Sequence, residues 1–234
     1  MEVGRKKAEG RRDDAGVALI VTLLVLMLMS AFGAALLLMT VTETRIAASF
    51  RNTQAALYAA DAAAERAIPD LLDVLDWNRL LDGSTHSSFV DGAPRGARIL
   101  DDGSALDLVQ TVNMANCHRV TTCSTADMNA VSDSRPWGPN NPRWMLFAYG
   151  RLRDLLPAGA IDSPFYAVVM VGDDPSETDN DPSRDGAAGH PGAGSVAVRT
   201  EAFGPGGTHK VIELTVARAA GAIRALSWRE IRQD

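Results

Sequence analysis

The sequence predicts an α+β fold: a long N-terminal helix, transmembrane in its first half and amphipathic in its second, packed on a small antiparallel sheet. Three observations predict it. Residues 17–41 carry no charged side chain. Residues 42–68 contain neither Gly nor Pro and are rich in Ala, the best helix former. Near the C-terminus, apolar and polar residues alternate on both sides of Gly204-Pro205-Gly206-Gly207. The chain has 234 residues, room for one domain of ordinary size and an accessory segment. Its net charge of −6, with no concentrated basic face, argues against nucleic acid as a partner.

The stretch VALIVTLLVLMLMSAFGAALLLMTV, residues 17–41, is the strongest physical signal. As a helix it reaches roughly 37 Å, enough to cross a hydrocarbon core of about 30 Å with some tilt. A secretory signal has a shorter apolar region of roughly 7–15 residues, so a span fits better than ordinary signal cleavage. Residues 1–16 hold Arg5, Lys6, Lys7, Arg11 and Arg12. Basic residues stay in the cytoplasm, which orients the rest of the chain outward: a single pass of the inner membrane with the C-terminal domain in the periplasm.

The helix is expected to continue past the span to about Ile68. Ile46, Phe50, Leu57, Ala60, Ala64 and Ile68 recur at helical spacing and form one apolar stripe. Pro69 is expected to kink or end the helix, and Leu71, Leu72, Leu75 and Leu80 to form a short one after it. The resulting division is 1–16 leader, 17–41 transmembrane half, 42–81 amphipathic helix, and 82–234 globular domain.

In the globular domain, Asp82-Gly83, Asp91-Gly92 and Asp102-Gly103 mark turns. Residues 144–152 (WMLFAYGRL) read as an aromatic-rich strand, and residues 165–171 (FYAVVMV) as a buried one. Residues 196–203 and 211–216 read as a half-buried hairpin with one apolar face, and the amphipathic half of the long helix is the available cover.

A charged leader ending at Gly16, followed at once by an apolar helix that becomes amphipathic, resembles a type IV prepilin. The segment from Gly16 to Ala67 more specifically resembles the N-terminal region of PilX-type pilus-assembly proteins. The matching features are the G-V-A-L-I-V start, Glu43-x-Arg45, the pair Arg51-Asn52, and Ala59-Ala60-Asp61-Ala62-Ala63. The ending Ser227-Trp228-Arg229-Glu230 is similar to endings in that family. The resemblance implies a pilin-like architecture, cleavage after Gly16 by a prepilin peptidase, and N-methylation of Val17. It implies partners among other pilins and minor pilins through the N-terminal helix, and a place in the cell-surface pilus after the inner membrane. One residue departs from the pattern. Most major pilins carry Glu at the fifth position after the cut, where this chain has Val21. Such a carboxylate is kept in lipid where it pairs with a neighbour's amine, so its absence points to a minor pilin. Two other readings stay open: a minor pseudopilin of a type II secretion system, and a single-pass anchored binding domain.

Cys117 and Cys123 are the only cysteines. In an exported domain a disulfide is the natural reading, whereas a metal site with His118 lacks a fourth ligand at usual spacing. The acidic stretch 173–194 contains Asp179, Asp181, Ser183 and Asp185, whose alternate spacing before Gly186 partly fits a calcium loop. Gly192 stands where the closing bidentate Glu belongs, and a solvated surface loop is the simpler reading. No cofactor is otherwise expected. The chain lacks G-x-x-x-x-G-K-[ST], G-x-S-x-G and H-E-x-x-H, and an enzyme is not expected. The histidines His86, His118, His190 and His209 are scattered in turn-rich contexts and read as surface residues.

Overall fold

The computed structural model describes residues 10–131, 135–155, 162–186 and 192–232, with side chains from residue 16 onward. The chain divides into two compact units, residues 1–51 and 52–234. The first helix, α1 (Gly10–Asp73), has 64 residues and runs through both.

In the first unit every side chain of residues 17–41 is exposed, including Leu37 and Leu38 at 71% each. The segment has a mean hydropathy of 2.6 over its most apolar window. Its hydroxyls do not look for water. Thr22, Ser30 and Thr40 donate to the carbonyls of Leu19, Leu26 and Leu36 at 2.8, 2.8 and 3.0 Å. A helix with all its polar groups satisfied internally and an apolar outer surface is the form a chain takes in lipid. Among the described residues, α1 alone is long and apolar enough to cross a membrane.

In the second unit α1 contributes a narrow seam: Ala56, Ala59, Ala60, Ala63, Ala64, Ala67 and Leu71 are all buried. Their spacing of 3, 1, 3, 1, 3 and 4 is one helical face. The expected stripe is therefore shifted. Ala60 and Ala64 belong to the seam, Leu57 and Ile68 flank it partly buried, and Ile46 and Phe50 are exposed at 64% and 67%. Alanine carries the buried face, and the long apolar side chains fall to its edge or beyond it.

Pro69 does not end the helix: α1 continues to Asp73 with Pro69 inside it. Pro69 removes one bond to the carbonyl of Glu65, and both residues are on the exposed side, where water takes that carbonyl. The turn after Pro69 is held from outside. Asp70 accepts from Ser87 Oγ, from Ser88 N at 2.9 Å and from Arg66 at 2.8 Å. Burial alone would raise the Asp70 pKa, but the hydrogen bonds from Ser87, Arg66 and Ser88 outweigh it and lower it below the ordinary value. The last turn and the two residues after it are held by side chains. Trp77 Nε1 donates to Leu71 O at 3.1 Å, and Arg218 donates to Val74 O and to Leu75 O, its guanidinium lying 4.6 Å over the Trp77 ring. A one-turn helix, α2 (Asn78–Leu81), then buries Leu80 and Leu81. Leu75, expected in that helix, is 90% exposed.

A two-stranded ribbon follows, β1 (Ala97–Ile99) and β2 (Ala105–Asp107), then α3 (Leu108–Cys117) and α4 (Thr125–Ala130). The main sheet is an antiparallel meander of β3 (Met145–Arg151), β4 (Tyr166–Asp173), β5 (Ser195–Gly204), β6 (Thr208–Ala219) and β7 (Ala222–Ile231), in that spatial order. Its outer edge at β3 is covered by the 87–91 segment: Ser87 N and Asp91 N donate to the carbonyls of Phe147 and Tyr149 at 2.8 and 2.9 Å.

The sheet was expected to bury one face and buries two. On one face Ala167, Val169, Val171, Val196, Val198, Ile212 and Leu214 pack with the alanine seam. On the other, Tyr166, Val168, Met170, Ala197 and Tyr149 of β3 pack with Leu106, Leu108, Ala115 and Trp144 from the layer built by residues 97–144. A strand covered on both sides reads as an unbroken apolar run, which is why β4 has FYAVVMV rather than alternation.

The seam makes a prediction. Ala63→Leu places three extra carbons where the side chain has no exposure, and lowers stability by about 1–3 kcal/mol. Ala62→Leu, one residue away and exposed, changes it by less than about 0.5 kcal/mol. Thermal unfolding of both variants in detergent distinguishes them.

Candidate functional site

The residues expected to carry function fall in separate places. Gly16 and Val17 lie within α1, both exposed. Gly16 has an ordinary helical backbone, and a Cβ added there meets no atom within 4 Å. Neither turn geometry nor packing in this fold asks for glycine at that position.

Cys117 closes α3 and is bonded to Cys123, their Cα atoms 5.9 Å apart. Between them His118 takes the left-handed conformation, φ 56°, and its N–H returns to Met114 O at 3.1 Å as the helix cap. His118 is exposed, as is His86, while His190 lies outside the described residues.

Asp179, Asp181, Ser183 and Asp185 lie in consecutive turns, with acceptors taken up locally. Asp179 accepts from the N–H of Asp181 at 2.8 Å, Asp181 from Ser183 Oγ at 2.5 Å, and Asp185 from Gly194 N at 2.7 Å. Among the described residues no three His, Cys, Asp or Glu side chains are grouped so as to hold a metal ion. The opening of this stretch is not a solvated loop. Asp173 is 2% exposed, Asp174 8% and Glu177 0%. Glu177 is enclosed by glycine: it accepts from Gly186 N at 3.1 Å, and side chains at Gly186 or Gly192 would collide with it. Burial, then the neighbouring charges of Glu177, Asp179 and Asp185, push the Asp173 carboxyl up to about 8, and its Oδ1 has no hydrogen-bond partner among the described residues.

The densest electrostatic feature was not foreseen. On the sheet face opposite the seam, Arg199 of β5 donates to Glu201 at 2.7 Å and to Glu213 of β6 at 2.9 Å. Arg229 of β7 donates to the other Glu213 oxygen at 2.5 Å. His209 meets the second oxygen of Glu201 at 2.9 Å and stacks on Phe203 with centroids 4.1 Å apart. His209 is thus half-buried in a network rather than a free surface residue. Burial would raise the Glu201 pKa, yet Arg199 and His209 hold it low, so its carboxylate stays ionised within the fold. The sequence signal was present: Arg199, Glu201 and Glu213 sit at period two among apolar residues. That pattern reads as a wet face, and only the covering layer makes it a buried one.

Arg135 belongs to that layer. It is 3% exposed and donates to the carbonyls of Pro142, Ala115 and Asn116 at 2.6, 2.9 and 3.0 Å, its Cζ 5.6 Å from the Trp144 ring centroid. Burial pulls its pKa down to about 10, which still leaves it charged at neutral pH. Asn116 and Trp144 exchange two bonds, Asn116 Nδ2 to Trp144 O at 2.9 Å and Trp144 N to Asn116 Oδ1 at 2.7 Å. These contacts pin the end of α3 and the 135–144 loop together over the sheet.

Asp173 generates a pH prediction. Its folded pKa lies above the unfolded value, so between pH about 4 and about 8 the native state holds a proton the unfolded state has lost, and stability falls as pH rises through that window. Asp173→Asn flattens the profile and raises the melting temperature at pH 8 by about 5 °C, with little change at pH 4. Parallel melts of the two proteins across that range check it.

The PilX N-terminal family model matches residues 15–65. No curated protein and no solved structure matches the chain. The matched residues cover the apolar stretch 17–41 and the start of the alanine seam. This chain therefore carries a PilX N-terminal region on its longest helix, consistent with a PilX-type pilin.

Proposed function

We propose that this protein is a minor pilin of a type IV pilus, acting in assembly or initiation of the filament and not as a catalyst. The observation that carries the reading is the PilX N-terminal match at residues 15–65, falling on a helix whose residues 17–41 are uncharged and exposed. The hydrophobic half anchors the protein in the inner membrane, and the basic leader keeps the N-terminus cytoplasmic, leaving the sheet domain in the periplasm. A prepilin peptidase cuts after Gly16, and Val17 becomes the methylated N-terminus. Glycine at Gly16 has no packing role in the fold, which supports a requirement imposed by a processing enzyme that must approach the backbone closely.

Val21 supports a minor place in the filament. It is apolar where a repeating subunit would need a carboxylate to meet its neighbour's amine. The disulfide between Cys117 and Cys123 fits a domain that matures outside the cytoplasm. Partners are other pilins and minor pilins meeting through α1.

Two measurements test the reading. Mass spectrometry of the purified membrane protein yields a chain beginning at Val17 with one added methyl group; an intact leader overturns the processing step. Deletion of the gene removes or sharply reduces surface filaments while leaving protein secretion unchanged. Normal filaments with lost secretion would assign the protein to a secretion pseudopilus instead.

A further inference from the structure

A groove of about 320 Å³ opens between the 135–144 loop and strands β6 and β7, on the sheet face away from the alanine seam. Arg135, Trp137, Trp144, Glu213, Ser227 and Arg229 contribute to its walls. We infer that this groove binds a small organic acid, a carboxylate carried on a flat apolar body.

Charge balance gives the sign. Arg135 and Arg229 bring two guanidinium groups to the groove walls and Glu213 brings one carboxylate, while Arg199 and Glu201 pair with each other beyond them. Both Glu213 oxygens are engaged, one by Arg199 and one by Arg229, so its charge is already matched. Among the described residues no carboxylate lies within ion-pair distance of Arg135, whose bonds go to neutral carbonyls. The balance leaves one positive charge in a partly desolvated place, where a monoanion is worth more than it would be in water.

Hydrogen bonding gives the functional group. Trp144 is 1% exposed, and its indole N–H meets no acceptor among the described residues. The Arg229 side chain is about half exposed at 53%, so its fork is open to solvent while its inner edge holds Glu213. The planar fork of a guanidinium matches a carboxylate in two parallel bonds. The Ser227 hydroxyl, which accepts from Thr215 N at 3.2 Å, keeps its own proton to donate.

The walls give the body of the ligand. Trp137 is 40% exposed at the groove, and Pro142 and Pro175 complete an apolar lining. Such a surface takes a ring face-on. The volume suits one ring with its acid group.

The test uses the full-length protein in detergent, with benzoate as probe and benzamide as its uncharged counterpart. Trp137 and Trp144 make tryptophan emission a local reporter, and calorimetry gives an independent measure. Benzoate produces a saturable change and benzamide does not, and the benzoate affinity falls on raising salt. Trp137→Ala and Arg229→Gln each weaken benzoate at least about tenfold, the size of one lost charged bond or ring contact. The inference is overturned if benzoate gives no saturable response, if benzamide matches it, or if Trp137→Ala binds as the parent does. Trp137 is exposed, so its variant remains decisive even if Arg229→Gln fails to fold.

Discussion

The approach of α1 to the sheet is the constraint on which the second unit depends. Seven residues from Ala56 to Leu71 are buried, and six of them are alanine. A seam this shallow gains little from each side chain, because a methyl group buries little area. The bulk of the core is filled from the sheet side, by Val169, Val198 and Ile212. The large side chains of this core are thus supplied by the strands and by Trp77, Leu80, Leu81 and Phe147. The polar clamp at the end of α1, Asp70 with Ser87 and Ser88 and Arg218 with the last carbonyls, fixes where along the sheet the helix stops.

Most of this was legible in the residues, for identifiable reasons. The apolar run, the alanine-rich continuation, the strands β3 and β4 and the β5–β6 hairpin follow from periodicities of 3.6 and two. The family resemblance drawn from Gly16 to Ala67 coincides with the region matched at 15–65. The strand β7 was not recognised. Its residues are mostly exposed, so burial imposes no alternation, and an extra residue at Leu226 interrupts the pairing between Thr215/Ser227 and Val216/Ala225. The helices α3 and α4 are short and were missed in a turn-rich stretch, although each has a capping signal: Asp107 accepts from Gln110 N, and Ser124 with Asp127 forms a capping box.

The functional features divide along the same line. The expected junction at Gly16-Val17 rests on local sequence alone. The network of Arg199, Glu201, Glu213 and Arg229 does not, because it depends on three strands and on the layer that covers them. The buried acids are similar. Asp173 ends an apolar strand and looks like the first residue of a wet loop, but residues 174–186 fold back and enclose Glu177 against Gly186. Buried ion pairs of this kind are weak arguments for stability, since desolvation offsets the attraction. Here Arg199 and Arg229 meet Glu201 and Glu213 across three neighbouring strands, so the pairs form only in this register.

The interruption at Leu226 has a consequence for association. The outer side of β7 is the one long strand edge that no other described segment covers, and an open edge is a template for another chain. The extra residue twists that edge out of register, and Arg224, Arg229 and Glu230 place charge along it. A bulged, charged strand edge is a poor template for edge-to-edge pairing.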